Sequence, residues 1–369
     1  MPTGSSIGVV LFQLGGPDSL AAVEPFLYNL FLDPDIIDFP FARLARPVLA
    51  KLISSRRARK VQEHYASIGG KSPIGELTER QARALERELR ETLDARVLVA
   101  MRYWHPLTEE ALREIDTQGF RRLVLLPLYP QYSKTTTGSS LNEWNRQQRL
   151  RPGVAVSTVK AFYDHALYLD AVVEKIEEGL ASRFAPGDSQ LVSAAQSCAG
   201  ASSETPVSIF EPQRLGVDHR QAATAAATGL PADVALVFSA HGVPISVIEA
   251  GDPYQRHVEE TVRLVMERGG WPNRHLLCYQ SRVGPGRWLE PTLDGALQQL
   301  AAEGERRVLA IPISFVTDHV ETLSEIDIEA RALAGRLGIE QFALMPALND
   351  SPKFITALAS LVVNALEGG

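Results

Sequence analysis

The sequence predicts an α/β protein built from two similar Rossmann-like domains. Each is a doubly wound, parallel four-stranded sheet, and a cleft lies between them. Three observations carry that prediction. First, eight short apolar runs occur near residues 7–14, 96–102, 122–129, 154–162, 234–240, 274–280, 307–314 and 340–346, with helix-patterned stretches between most of them. Strands alternating with helices imply parallel pairing, because a parallel crossover needs a dozen or more residues and a helix supplies them. Second, a length of 369 residues suits about two domains. Third, the chain repeats itself. Pro106, Ala111, Leu112, Gly119, Arg121, Arg122 and Pro127 align with Pro291, Ala296, Leu297, Gly304, Arg306, Arg307 and Pro312 at a constant offset of 185 positions. Chance matches of Ala and Leu are cheap, so the Pro and Gly punctuation carries the argument.

In chain order, the first run ends in Leu14-Gly15-Gly16-Pro17. The apolar cluster Phe26, Leu27, Leu30, Phe31, Leu32, Ile36, Ile37 and Phe39 follows. It is core by default, or else a lip that touches a membrane surface or an apolar ligand. Arg56 and Arg57 lie in a basic stretch with Arg59 and Lys60, and solvent is the usual fate of such runs. The second run ends at Arg102-Tyr103, where a guanidinium faces the cleft and its fork suits a carboxylate. Thr108 to Ile115 reads as a helix with an acidic first turn.

The third run leads into a loop crowded with hydroxyls, Leu128 to Ser140, in which Ser139 or Ser140 caps the next helix. That loop is a capping loop or an anion cradle. From 187 to 231 the chain is rich in Ala, Ser, Thr and Gln, and reads as an insertion with a short helix at 220–229. The fifth run closes on Ser239-Ala240-His241 before the turn Gly242-Val243-Pro244. Open α/β sheets bind ligands at the carboxyl ends of their strands. An imidazole placed there can take a proton near neutral pH or ligate a metal.

The sixth run exits through Gln280-Ser281-Arg282 toward Trp288, a rim or core aromatic. After the seventh comes Phe315-Val316-Thr317-Asp318-His319-Val320-Glu321-Thr322-Leu323-Ser324-Glu325. If this starts an α-helix, Asp318, Glu321 and Glu325 at i, i+3, i+7 share one stripe. Such a stripe is a solvated face, or a proton relay or cation site. Residues 352–366 form an amphipathic helix with Ile355, Leu358, Ala359, Val362 and Leu366 on one face. The expected division is 1–165, completed by a C-terminal helix at 350–369, and 166–349, which contains the insertion.

Composition narrows the function. Hydrophobic residues make up 45% and charged residues 22%, as in a globular protein with a full core. A net charge of −7 and a pI near 5.7 argue against nucleic acid as a partner. The two cysteines, Cys198 and Cys278, cannot make a disulfide framework or supply four thiolates to an iron–sulfur cluster. No GxGxxG or Walker pattern supports nucleotide binding. No secretory leader or membrane-spanning run is evident, so the expected location is the cytoplasm, with the apolar lip as a candidate peripheral membrane contact.

Several stretches together resemble the ferrochelatases. They are LFQLGGPDS, LFLDPDII, RRARKVQEHYASIGGKSPI, MRYWHPLTEEAL, YPQYSKTTTGSS, FSAHGVPISVIEAGDPY, YQSRVGPGRWLEP and FVTDHVETLSEIDIE, in family order over nearly the whole chain apart from the insertion. The resemblance implies a chelatase-like fold and insertion of Fe²⁺ into protoporphyrin IX, forming protohaem with loss of two protons. It implies that His241 is metal ligand or proton acceptor, with Glu321 as its partner carboxylate and a second candidate metal ligand. His319, Asp318 and Glu325 match an acidic and histidine relay. Arg56, Arg57, Tyr65, Ser72, Arg102, Tyr103, Ser281, Trp288 and Phe315 match positions that line or close the porphyrin pocket. Alternatives are a chelatase for another tetrapyrrole, coproporphyrin or sirohydrochlorin, or a non-catalytic tetrapyrrole carrier. Some relatives carry a [2Fe–2S] cluster, and with only Cys198 in its insertion this chain is expected to lack one. Partners beyond porphyrin and iron are not implied, and monomer and homodimer stay open. Two departures bear on the pocket: Gln13 stands where the family usually has Asn, and Tyr279 where Trp is frequent.

Overall fold

The computed structural model describes residues 7–36, 42–184, 230–282 and 286–368. The first half builds β1 (Ile7–Gln13), α1 (Val23–Leu32), α2 (Ala42–Ser67), α3 (Ile74–Leu89), β2 (Ala95–Met101), α4 (Thr108–Gln118), β3 (Arg122–Pro127), α5 (Ser139–Gln147) and β4 (Ala155–Thr158). Helix α6 (Ala166–Arg183) leads to the second half: β5 (Ala235–His241), α7 (Ile245–Glu249), α8 (Tyr254–Gly269), β6 (His275–Gln280), α9 (Leu293–Ala302), β7 (Arg307–Pro312), α10 (Arg331–Arg336), β8 (Gln341–Leu344) and α11 (Pro352–Glu367). All eight expected strands are present.

The sheets are parallel throughout, ordered β2-β1-β3-β4 and β6-β5-β7-β8, so the two halves share one topology. The repeat seen in the sequence has a structural meaning at each punctuation mark. Gly119 and Gly304, with φ of 70° and 91°, end α4 and α9 in the left-handed region that Gly enters without a Cβ penalty. Pro106 and Pro291 each offer a carbonyl to the end of the neighbouring strand, at Met101 and Tyr279. Pro127 and Pro312 close β3 and β7.

Both faces of each sheet are covered, which is why the strands read as continuous apolar runs rather than as alternation. In β1, Val9 and Leu11 face one cluster while Val10 and Phe12 face another. In β5, Leu236, Phe238 and Ala240 divide from Ala235 and Val237 in the same way. The first cluster runs unbroken from Val9 through Val172 and Ile176 of α6 to Leu309 of β7 and Leu358 of α11. Helix α11 packs on α3, α6, β3 and β4, and α6 also meets α8, β7 and β8. The two sheets therefore share a buried helical layer. Ile355, Leu358, Val362 and Leu366 are the buried face of α11, as their spacing predicts. The segment 187–229, with Cys198 and the expected helix at 220–229, lies outside the described residues, as do Ile37 and Phe39.

The lip needs correction. Phe26, Leu27 and Phe31 are buried against Ala50, Tyr65 and Tyr103, because α1 turns its apolar face onto α2. Among the described residues, the large apolar side chains left exposed in this region are Leu20, Ile36, Val48 and Leu52, with Val48 73% open.

Candidate active site

In a doubly wound sheet of this order, the chain leaves in opposite directions from its first and third strands, and a crevice opens between their carboxyl ends. Here the two crevices face each other. Gln13 and Leu14 at the end of β1, Leu128 and Tyr129 after β3, His241 at the end of β5, and Ser314 to Thr317 after β7 line one cavity of about 700 Å³, its open mouth included. Its wall is mostly apolar, with His241, His319, Glu321, Tyr129 and Tyr254 as its ionisable groups.

The imidazole of His241 lies with Nδ1 2.9 Å from Glu321 Oε2. The carboxylate accepts, so Nδ1 carries the proton and Nε2 is the ring's open nitrogen. Burial alone would favour the neutral imidazole. The charge and hydrogen bond of Glu321, with Glu325 behind it, outweigh burial and raise the His241 pKa. Burial pushes Glu321 the other way, but His241, His319 and the Ser281 hydroxyl together hold its carboxyl well below the usual range. The site therefore favours protonation of His241 more than water does, with Glu321 as the charge that stabilises it.

Ser281 links this pair to a second carboxyl. Its hydroxyl is 3.0 Å from Glu321 Oε2 and in close contact with Glu325 Oε2. One hydroxyl donates one proton, so both contacts are satisfied only when one carboxyl is protonated and donates back. Glu325 is that carboxyl: burial first, then the charge of Glu321, raises its pKa to about 7. Ser281 itself sits at φ 63°, a left-handed backbone that a non-glycine residue seldom adopts, and this aims its side chain between the two acids.

The acids stand on a π-helix, Glu321–Ala330, rather than an α-helix. Its wider i→i+5 turn changes which residues share a face. Glu321 and Glu325 stay together on it. Four residues on, Glu329 reaches the half-exposed side of the segment, where its Oε1 is 2.8 Å from Nδ1 of His64 on α2. Both lie in stretches that carry the family resemblance, but the sequence gives neither a role, because their pairing joins residues far apart in the chain. The equivalent segment after β3, Lys134–Gly138, is also a π-turn. Ser133 caps it by accepting from the Thr135 N–H, which corrects the expectation of a cap at Ser139 or Ser140.

Asp318 does not join the stripe. Its carboxylate accepts from Thr322 Oγ1 and Asn349 Nδ2, and its backbone N–H bonds Asn349 Oδ1, so it holds the start of the π-helix to the loop after β8. His319 is buried, and its Nδ1 donates to the Thr317 carbonyl over 3.1 Å, leaving Nε2 as acceptor. Burial lowers its pKa. Phe315 lines the cavity between the two imidazoles, 6.3 Å from the ring of His241 and 4.4 Å from that of His319.

The expectation that Arg102 faces the cleft is also corrected. Its side chain is 10% exposed and fully engaged, with Asp33 Oδ1 at 3.0 Å, Glu143 Oε2 at 3.6 Å and Ser139 Oγ at 2.8 Å. Asp33, whose side chain is fully buried, also accepts from the Tyr103 hydroxyl at 2.6 Å and from Ser139. An isolated carboxylate there would be costly to bury, so the arginine turns to it rather than to the cavity. The Ser72 hydroxyl accepts from the Ile74 N–H at the start of α3 and wedges against Gly16, where a Cβ would come within 2.6 Å of it.

Tyr65 is buried beside the acids; burial first, then the charges of Glu321 and Glu325, raises its pKa. Arg56 is exposed on α2, and Arg57 lies over the Phe31 ring at 5.8 Å. Trp288 packs near Gly242 across a bridge to Pro244, and its buried Nε1 has no partner among the described residues. The structure thus brings His241, Glu321, Glu325, Ser281, His319 and Phe315 together; of these His241, Glu321, His319 and Phe315 line the cavity and Ser281 and Glu325 stand behind it, while Asp318, Arg102, Tyr103, Ser72 and Arg56 do not line it.

Tyr254 escaped the sequence reading, although it ends the quoted stretch GDPY. Its hydroxyl donates to the His241 carbonyl at 3.0 Å and contacts Ser314 Oγ at 2.8 Å, which anchors the strand end behind the imidazole. Gln13, noted only as a departure, lines the cavity and accepts from the Leu14 N–H with its own amide oxygen.

Comparison with known proteins agrees with this geometry. The family model described as Ferrochelatase matches residues 6–199 and 217–366. The chain is 47% identical over 356 residues to a ferrochelatase of Geotalea daltonii, covering 96% of each. It is 44% identical to one of a Cyanothece species, covering 98% of this chain and 83% of the relative. It is 42% identical to one of Aquifex aeolicus, covering 97% and 98%. Among solved structures, SirB from Bacillus subtilis with Fe³⁺ superposes with a TM-score of 0.51 at 11% identity, covering 98% of this chain and 95% of that one, a likeness of fold alone. On sequence over nearly its full length, this chain belongs to the ferrochelatase family.

Proposed function

We propose that the protein inserts Fe²⁺ into protoporphyrin IX, releasing two protons and forming protohaem, the last step of haem biosynthesis. The observation that carries this reading is the bonded series His241–Glu321–Ser281–Glu325, which starts from two residues in the wall of a mostly apolar cavity and runs back behind it. The macrocycle is a large apolar disc, and the cavity offers it apolar walls. The reaction must remove two pyrrole protons from the centre of that disc. An imidazole whose Nε2 is open can take one proton at a time, and the acids beyond it can carry each away. Glu325 already titrates near neutral pH, so it can both accept and release. Glu329 and His64 then lead toward solvent. A non-catalytic carrier has no use for that series.

His241 and Glu321 are also the residues that would meet the incoming cation. In this reading the metal is the substrate of the reaction rather than a resident ion. A [2Fe–2S] cluster is not expected. Cys278 is buried with its thiol donating to the Phe238 carbonyl, and burial pushes its pKa up to about 12. Purified protein should contain no acid-labile sulfide.

No helix among the described residues is long and apolar enough to cross a membrane. A cytoplasmic protein that touches the membrane through Leu20, Ile36, Val48 and Leu52, beside Lys51 and Arg56, fits the exposed surface. The functional reading is tested by anaerobic Fe²⁺ insertion followed by absorbance, with protoporphyrin and coproporphyrin as competing substrates. Faster turnover of coproporphyrin would overturn the substrate assignment, and no turnover of either would overturn the reading.

A further inference from the structure

The loop after β3 belongs to one half of the molecule and His241 to the other, so the bonds between them set the width of the cavity. Four hydrogen bonds cross at α8 and the residues just before it. The Gln131 amide donates to Thr261 Oγ1 over 3.1 Å, and the Tyr132 N–H to His257 Nδ1 over 3.3 Å. The other two converge on one atom. Asp252 Oδ2 accepts from Ser133 Oγ at 3.1 Å and from the Lys134 N–H at 2.7 Å.

The second oxygen of Asp252 looks the other way. Oδ1 accepts from the Tyr254 N–H at 3.0 Å. Tyr254 opens α8, and its hydroxyl holds the carbonyl of His241. One carboxylate therefore joins the loop wall to the strand end that carries the imidazole. Three donors point at it, which suits an ionised acceptor with lone pairs on both oxygens. Asp252 does not itself line the cavity.

We propose that Asp252 is a positioning residue for metal insertion. Its carboxylate clasps the Gln131–Thr136 wall to the His241 strand and keeps the centre of the bound macrocycle in register with the imidazole. This rests on the porphyrin reading above. Misplacing a reacting group by an ångström costs far more in rate than in binding. The clasp should therefore act on kcat rather than on porphyrin affinity.

The test compares wild type, Asp252→Ala and Asp252→Asn in the full chain. Measured are steady-state iron insertion, protoporphyrin binding by fluorescence quenching, and amide hydrogen exchange over residues 131–136 and at Tyr254. Asp252→Ala should lower kcat about tenfold or more, with porphyrin Kd within about threefold of wild type. Exchange in both segments should quicken. Asn has one acceptor oxygen and can serve only one side of the clasp, so Asp252→Asn should fall between the two. If Asp252→Ala does not fold, the same intermediate phenotype in Asp252→Asn supports the proposal and wild-type behaviour overturns it. Unchanged kcat and exchange overturn it, and so does a loss confined to porphyrin affinity. If wild type itself metallates no porphyrin, the functional reading fails separately, and unchanged exchange in the variants then rejects the clasp.

Discussion

Glu321 and Glu325 are one π-turn apart, touch the same hydroxyl, and are shifted in opposite directions. The sign of each shift gives a stability prediction. The Glu325 carboxyl is raised to about 7, so the folded protein binds a proton there that the unfolded chain has lost above the ordinary carboxylate range. Stability from this group falls as pH rises toward 7. Glu325→Gln keeps the neutral form at all pH values, so it should raise the Tm at pH 8 and leave it nearly unchanged at pH 5. An equal effect at both pH values would remove the charge repulsion from the account.

Glu321 is lowered, so its contribution is present at neutral pH and lost only in strong acid. Its partner His241 is raised, so that stabilisation holds below about 6.5 and is lost as pH climbs past the shifted value. His241 must shed its proton before Nε2 can act, so kcat/KM should rise through a pKa above that of free histidine. Glu321→Gln removes the charge that raises it. The acid limb of the pH profile should then move to lower pH, while kcat at its plateau falls because the amide carries no proton onward. A change in porphyrin KM alone, with kcat and the profile intact, would make Glu321 a binding contact instead. His241→Ala should abolish insertion while leaving the fold in place.

At the scale of elements, the site depends on how β5 ends. Gly242 follows His241, its N–H bonds the Gln280 carbonyl at 2.6 Å, and an added Cβ would lie 2.6 Å from that same oxygen. Strand β6 is a fixed backbone neighbour and cannot yield as a flexible side chain would. Gly242→Ala should therefore cost about 1–3 kcal/mol, typical of overpacking. It should also displace His241 and Ser281 together, since they flank the contact. Thermal unfolding and insertion rate measure the two effects; an unchanged Tm would show that the strand ends can part freely. The π-helix is the second such element. Its wider turn carries Glu321, Glu325 and Glu329 from the cavity to His64. The i, i+3, i+7 spacing in the sequence is compatible with an α-helical stripe, and that reading wrongly places Asp318 on it. Periodicity over so few residues does not separate the two helix types, and Asn349 and Thr322 hold Asp318 outside the helix.

At the scale of the whole molecule, two copies of one topology present their crevices to a common cavity while sharing a helical layer behind it. The stretch between 187 and 231 is poor in large apolar residues and contains none of the residues assigned to the site. Such a composition buries little apolar surface. Deleting most of it, with a short linker in place, should leave iron insertion within a few-fold of wild type. A large loss in a deletion that keeps its circular dichroism spectrum would show that the segment serves the cavity.

The sequence by itself determined the eight strands, the internal repeat, the apolar face of α11 and the placement of His241 at a strand end. These are local properties, written in runs, spacings and Pro/Gly punctuation. Only the tertiary structure decided which groups meet. His241 and Glu321 are 80 positions apart, and Ser281 reaches both acids from another strand. Arg102 turns from the cleft because Asp33, distant in sequence, is buried beside it. Asp252 joins the cavity wall to the imidazole across 118 and 119 positions. The physical reason is the same in each case. Burial forces a polar or charged group to find partners, and the partners within reach are set by the packing of the whole chain rather than by its neighbours in sequence.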